Sequence, residues 1–345
     1  MPETYKQKQA YTLQDVALKA GVSAITASRA LRTPERVAPD TLERVRVAVE
    51  TLGYVPNPAA QALASARSRV IGVVIPSVTN SVFADLLRGV MDATADGPWQ
   101  PQIANTRYVS SREEDVLRLF ATQRPAGMIV AGIDQSPEAR GILKGIGCPV
   151  VQVLEVGSDP IDMMIGCSQV EGGRAAVRHL ARQGYRRIGF LGARMDPRSQ
   201  RRLAGYRQEI EAAGLAGSER VLTVPHASSV TLGRRLMADF LALHPDADAV
   251  FCNNDDIALG ALFECIRRGI RVPAQIGIAG FNDLDMAEGA EPGLTSVRTD
   301  RYRMGLEAVR MIEAALGGER PADAVRDIGF TLEARDSTRR TGGTE

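Results

Sequence analysis

Histidine and cysteine are scarce in this chain, and their scarcity excludes much chemistry. The three histidines, His179, His226 and His244, lie far apart in sequence. The four cysteines, Cys148, Cys167, Cys252 and Cys265, are scattered with no C-x-x-C pair. Neither a metal-ligand spacing nor a disulfide framework follows from such a set, and the cysteines read as reduced, mostly buried thiols. No apolar run reaches the length of a transmembrane helix. The N-terminal MPETYKQKQA lacks the apolar segment of a secretory signal, which points to the cytoplasm. The phosphate loop, G-x-G-x-x-G, G-x-S-x-G and H-E-x-x-H are all missing, so nucleotide binding and the commonest hydrolase designs are disfavoured. No cofactor and no metal are expected.

What is present falls into two patterns. Length alone, 345 residues, suggests more than one domain. Net charge is only +1, but residues 1–70 hold ten Lys/Arg against six Asp/Glu, while the remainder holds 32 against 35. A basic end on a near-neutral body suits an anionic partner. In that basic end, Thr12 can cap a helix from Leu13 to about Ala20, which Gly21 breaks. Ser23 can cap a second helix to about Leu31, and a third runs from Pro39 to Leu52 with Leu42, Val45, Val49 and Leu52 at helical spacing. A proline-marked connector, YVPNPAAQALASARSR, follows; a helix in it would be too short to persist alone.

From Val70 the pattern changes to short β-branched runs alternating with amphipathic helices. That is the signature of parallel sheets, and the roughly 260 remaining residues are ample for two α/β domains. Polar residues cluster where strands end, at Pro76-Ser77, Asn254-Asp255 and Asn282-Asp283. Open parallel sheets bind ligands beyond the carboxyl ends of their strands, so these are candidate site residues; each is equally suited to capping the next helix.

The stretch DVALKAGVSAITASRALR admits two readings, a structural helical hairpin or a DNA-reading helix-turn-helix. The second places its latter helix in the major groove. Thr26, Ser28 and Arg29 could then bond phosphates and bases, and the Arg29 fork matches guanine O6 and N7.

This stretch resembles the DNA-binding segment of the lactose/galactose repressor family, and GYVPNPAAQALAS resembles that family's hinge helix. The resemblance continues in order through SRVIGVVIPSVTNSVFADLLRGV, RIGFLGAR, RRLAGYR, NNDDIALGA, IAGFNDLD and LTSVRTD. Within the family the chain is most similar to gluconate-operon repressors. The resemblance implies an all-α reading head at 1–55, a hinge at 56–68, and a core of two doubly wound parallel-sheet subdomains of periplasmic-binding-protein type. Their implied extents are 69–166 plus 300–329 and 167–299 plus 330–340. It further implies a homodimer, or a tetramer of dimers, on a near-palindromic operator, with a small effector in the cleft and no membrane partner.

Residue by residue, the match assigns DNA contacts to Thr12, Ser23, Ala24, Ile25, Thr26, Ser28, Arg29, Tyr54, Asn57 and Ala60, with Leu63 as an apolar wedge at the operator centre. Ala24 and Ile25 depart from the polar readers common at their positions; they could only pack on thymine methyls. Family matching puts Asn80, Phe83, Arg202, Asn254 and Asn282 in the effector cleft; Ser77 and Arg198 join this candidate set, with Arg201 beside Arg202 in sequence. Phe83 would cover an apolar sugar face. Position 282 is often aspartate in this family, and the neutral Asn282 removes repulsion toward an anionic ligand. The effector implied is a sugar acid, gluconate or 2-ketogluconate. Two rival readings stand beside this one. A transport or sensing sugar-binding protein would leave residues 11–65 unexplained, and a sugar-acid enzyme would need an acid/base pair from isolated carboxylates such as Asp255 and Asp283.

Overall fold

The computed structural model describes residues 11–55, 68–215 and 219–340. The chain divides into two compact units, residues 1–68 and 69–345. The hinge positions Asn57, Ala60 and Leu63 lie outside the described residues.

The first unit is a three-helix bundle of α1 (Leu13–Ala20), α2 (Ala24–Arg32) and α3 (Pro39–Leu52). Thr12 and Asp15 cap α1 reciprocally, and Gly21 ends it in the left-handed region at φ 63°, which costs a glycine nothing. One residue pair later Ser23 caps α2 by accepting from the Thr26 amide. The two caps fix the tight turn between helices. The bundle's core is made of small side chains, Val16, Ala20, Ala30, Val45 and Ala48. Such a core lets the helices approach closely and turns the larger α2 side chains outward.

The second unit holds two six-stranded sheets. The first contains β1 (Val70–Ile75), β2 (Gln100–Asn105), β3 (Gly127–Ala131), β4 (Val150–Glu155), β5 (Met163–Cys167) and β11 (Val325–Asp327), in the order β11-β5-β4-β3-β1-β2. The second contains β6 (Ile188–Ala193), β7 (Val221–Val224), β8 (Ala249–Cys252), β9 (Gly277–Asn282), β10 (Thr295–Arg298) and β12 (Thr331–Glu333), in the order β12-β10-β9-β8-β6-β7. All pairings are parallel except β10 with β12. Helices α4 (Ala84–Thr94), α5 (Ser110–Gln123), α6 (Pro137–Gly145) and α11 (Arg301–Leu316) go with the first sheet. Helices α7 (Gln169–Arg182), α8 (Pro197–Ala212), α9 (Val230–Leu243) and α10 (Asp255–Arg268) go with the second. The chain passes from sheet to sheet three times, after β5, after β10 and between β11 and β12. Among the described residues no helix is long and apolar enough to cross a membrane.

Three helix pairs in this unit cross through glycines. A Cβ on Gly89 of α4 would strike the Tyr302 carbonyl of α11, and one on Gly305 of α11 would strike the Leu86 carbonyl. Gly173 of α7 faces the Arg202 backbone of α8, and Gly205 faces Val170; Gly233 of α9 and Gly260 of α10 repeat the arrangement. The obstacle is backbone each time, so it cannot rotate away. Gly260→Ala is therefore expected to destabilise the protein by about 1–3 kcal/mol through overpacking. A urea titration checks this, and an unchanged midpoint would show that α9 and α10 can part without cost.

Candidate functional sites

On the head, α2 presents Ala24, Ile25 and Arg29 to solvent, with Ile25 72% exposed. Together with Leu13, Ser28, Arg32 and Thr33 they line an open groove of about 520 Å³. An exposed isoleucine and an arginine one turn on, beside a serine, form a face that offers apolar contact and forked donors at once. The Ser23 and Thr26 hydroxyls meet each other, 2.8 Å apart. Thr12 is exposed, but its hydroxyl is engaged by Asp15 at 2.8 Å. Tyr54 packs against the head's core. Leu13, Arg32 and Thr33 also belong to the groove, and no sequence signal marked them.

In the second unit the strand ends converge on a cleft. Its inner recess, about 40 Å³, is lined by Asn80, Val82, Tyr108, Ala193, Arg194, Asp196, Arg198, Ser199, Arg202, Ser228, Asn254 and Asn282. An outer chamber of about 400 Å³ adjoins it and shares Tyr108, Arg194, Asp196 and Arg198. Asn80, Arg198, Arg202, Asn254 and Asn282 are thus brought together from four separate segments, Arg198 and Arg202 sharing α8.

Local structure explains their poses. Ser77 accepts from the Thr79 and Asn80 amides, which turns the chain after β1. Asn80 Oδ1 accepts from the Val82 amide at 3.1 Å, while its Nδ2 donates to the Tyr108 hydroxyl at 3.4 Å. Asn254 caps α10 through Oδ1. The capping role foreseen for Asn254 is therefore real, Asn80 makes a similar bond that was not foreseen, and Asn282 caps no helix. Asn282 sits at φ 112° at the end of β9, and its carbonyl accepts from Arg301.

Arg202 is deeply confined, only 8% exposed. Its Nε donates to Gln169 Oε1 at 2.9 Å and its Nη1 to the Asn253 carbonyl at 2.6 Å. The guanidinium lies 3.7 Å from the centre of the Phe281 ring. Burial disfavours its charge and pulls its pKa down to about 10. Gln169 in turn donates to the Leu154 carbonyl of β4, at the first sheet-to-sheet passage. Asn253 knits β6 to α8 by donating to the Ala193 carbonyl and to Ser199 Oγ. Neither Gln169 nor Asn253 was foreseen; only the fold brings them to Arg202.

Three expectations are revised. Phe83 covers no ligand surface: it is wholly buried in the first subdomain's core, and the Arg198 guanidinium lies 5.6 Å from its ring centre. Ser77 is a turn residue rather than a lining one. Arg201 does not serve the recess either. It bridges the subdomains, meeting Asp134 at 2.5 Å and Glu155 at 2.8 Å. Burial pushes the Glu155 carboxyl up to about 7. The carboxylates considered for an enzyme have structural work. Asp255, fully buried, accepts from Ser296 Oγ and the Leu284 amide, and Asp283 pairs with Arg335 at 2.7 Å.

Comparison with known proteins gives a consistent result. Residues 12–57 match the model described as bacterial regulatory proteins, lacI family, and residues 177–338 match a periplasmic binding protein-like domain. The chain is 39% identical to the HTH-type transcriptional regulator GntR of Pseudomonas aeruginosa, over 95% of both proteins. It is 36% identical to the regulator of the same name from Escherichia coli, over 94% of this chain and 98% of the other. It superposes on the crystal structure of a LacI-family transcriptional regulator from Silicibacter pomeroyi with a TM-score of 0.88 and 35% identity, covering 96% of this chain and 100% of that one.

Proposed function

The chain belongs to the lacI family of bacterial regulatory proteins, and from that premise we propose how its two units divide the work of a sugar-acid-responsive repressor. It is a sequence-specific DNA-binding transcription regulator, not an enzyme, that acts as a dimer on operator DNA and answers to a small sugar-type effector. The outer face of α2 reads the operator, with Arg29 on guanine and Ile25 on thymine methyls. Its setting is the cytoplasm, where the DNA is.

One observation carries the effector reading. Arg202 is a buried cation whose hydrogen bonds go to neutral oxygens, and among the described residues no carboxylate lies within ion-pair distance of it. A buried charge without a partner is costly, and an anionic ligand supplies the partner. Three asparagine side chains beside it can bond hydroxyls as donors and acceptors. A polyhydroxylated carboxylate, gluconate or 2-ketogluconate, fits both features. Its regulated genes are those for uptake and breakdown of that acid.

Gluconate is expected to lower operator affinity in a gel-shift titration at fixed salt. A fixed salt concentration is essential because phosphate contacts alone move affinity steeply with ionic strength. Operator binding that ignores every sugar acid would sink the effector reading while leaving the DNA-binding one intact.

A further inference from the structure

The arginines of the recess outnumber its carboxylates. Arg194, Arg198 and Arg202 recur every four residues from the end of β6 into α8, and all three line the recess. Each guanidinium rests on an aromatic ring: Arg194 is 4.0 Å from the centre of Tyr108, Arg198 is 5.6 Å from Phe83 and Arg202 is 3.7 Å from Phe281. Stacking of this kind fixes a guanidinium's plane while leaving its edge donors for another group.

Among the described residues Asp196 is the only acidic one lining this recess. It belongs to Arg198, 3.7 Å away, and also caps α8 by accepting from the Ser199 amide at 2.9 Å. Glu155 lies near Arg198 and Arg202 but is held by Arg201. Arg202 at the floor feels Asp196 and Glu155 only through space, and Arg194 sits where the recess meets the outer chamber. Neither has a carboxylate within 4 Å among the described residues. The outer chamber adds Arg107, Glu113 and Asp134, and Arg201 already holds Asp134.

Size argues the same way. About 40 Å³ of room accommodates a few water-sized groups, not a six-carbon acid. A ligand whose carboxylate meets Arg202 must run outward past Tyr108 and Arg194 toward the 400 Å³ chamber. Its far end then lies against the second unmatched guanidinium.

We propose that the cleft contains a second anion subsite at Arg194, so that it binds sugar acids carrying an anionic group at each end. This rests on the sugar-acid reading above and refines it. Gluconate fills the first subsite and leaves the second empty. A sugar dicarboxylate or a terminally phosphorylated aldonate fills both. The phosphorylated form is what a kinase reaction on an aldonate would deliver.

The test is calorimetry on the full-length protein with gluconate, glucarate and 6-phosphogluconate. At least one of the two dianions is expected to bind about tenfold or more tightly than gluconate, and the tighter one identifies the second group as carboxylate or phosphate. Arg194→Gln is expected to bring the dianion-to-gluconate ratio toward one, and Arg194→Lys to restore part of it. Gluconate binding as tightly as both dianions overturns the subsite. So does a loss in Arg194→Gln that is equal for all three ligands, which would make Arg194 a wall rather than a contact. No heat with any of them, from protein that still shifts operator DNA, overturns the sugar-acid reading and the subsite with it.

Discussion

Arg202→Gln is expected to abolish induction. Truncating one partner of a buried, hydrogen-bonded charge pair costs about 2–5 kcal/mol, so effector affinity should fall by a factor of roughly 30 to 1,000 or more. Operator affinity without effector should be unchanged, because the reading head is a separate compact unit. A glutamine retains one donor for Gln169 or for the Asn253 carbonyl, which keeps the local packing served. Arg202→Lys keeps the charge but loses the fork that meets Gln169 and Asn253 together, and should fall between the two. Calorimetry with gluconate, beside gel shifts, separates the two functions. Normal induction of Arg202→Gln would mean that the effector's acid group lies elsewhere.

Arg29→Ala should flatten operator preference. A bidentate arginine–guanine contact discriminates by about 1–3 kcal/mol, or a factor of roughly 5 to 150, against the wrong base. On this head the burden on Arg29 is unusual. Its neighbours at the start of α2, Ala24 and Ile25, have no hydrogen-bonding side-chain atom, and the Ser23 and Thr26 hydroxyls meet each other. The variant should therefore bind a panel of single-base operator variants with nearly equal affinity at the position Arg29 reads. Competition gel shifts at one salt concentration would show this. A loss spread evenly over the panel would make Arg29 a phosphate contact.

Most helices and six of the buried strands were legible in the sequence because their signals are local; α6, α11 and the buried β5 were not picked out. The three head helices follow from caps, glycines and apolar spacing. The runs at β1, β3, β4, β6, β8 and β9 stand out because strands buried on both faces are nearly all apolar. β2 was not legible: QPQIAN is an edge strand, partly exposed and carrying a proline, with no β-branched run. The site divides the same way. Asn254 and Asn282 advertise themselves at strand ends, and Asn80 came through the family resemblance. Tyr108 and Arg194 do not, since both sit in loops at positive φ whose course depends on packing from both subdomains. Phe83 misled because an aromatic beside a strand end suits a sugar face and a core equally well. Arg201 misled because its carboxylate partners come from residues 46 and 67 positions away.

The glycine crossings bear on how a message can leave the cleft. Domain motion by shear needs interlocking side chains that slip past one another in small steps. Where backbone presses on backbone, as between α4 and α11, α7 and α8, and α9 and α10, there is no such slack. Each subdomain should behave as a stiff block, and bending should concentrate in the three short passages between the sheets. Arg202 reaches one of these passages through Gln169 and the Leu154 carbonyl. A ligand that draws on that arginine pulls at the pivot itself, so a displacement too small to see in the pocket can become a rotation of one whole block against the other.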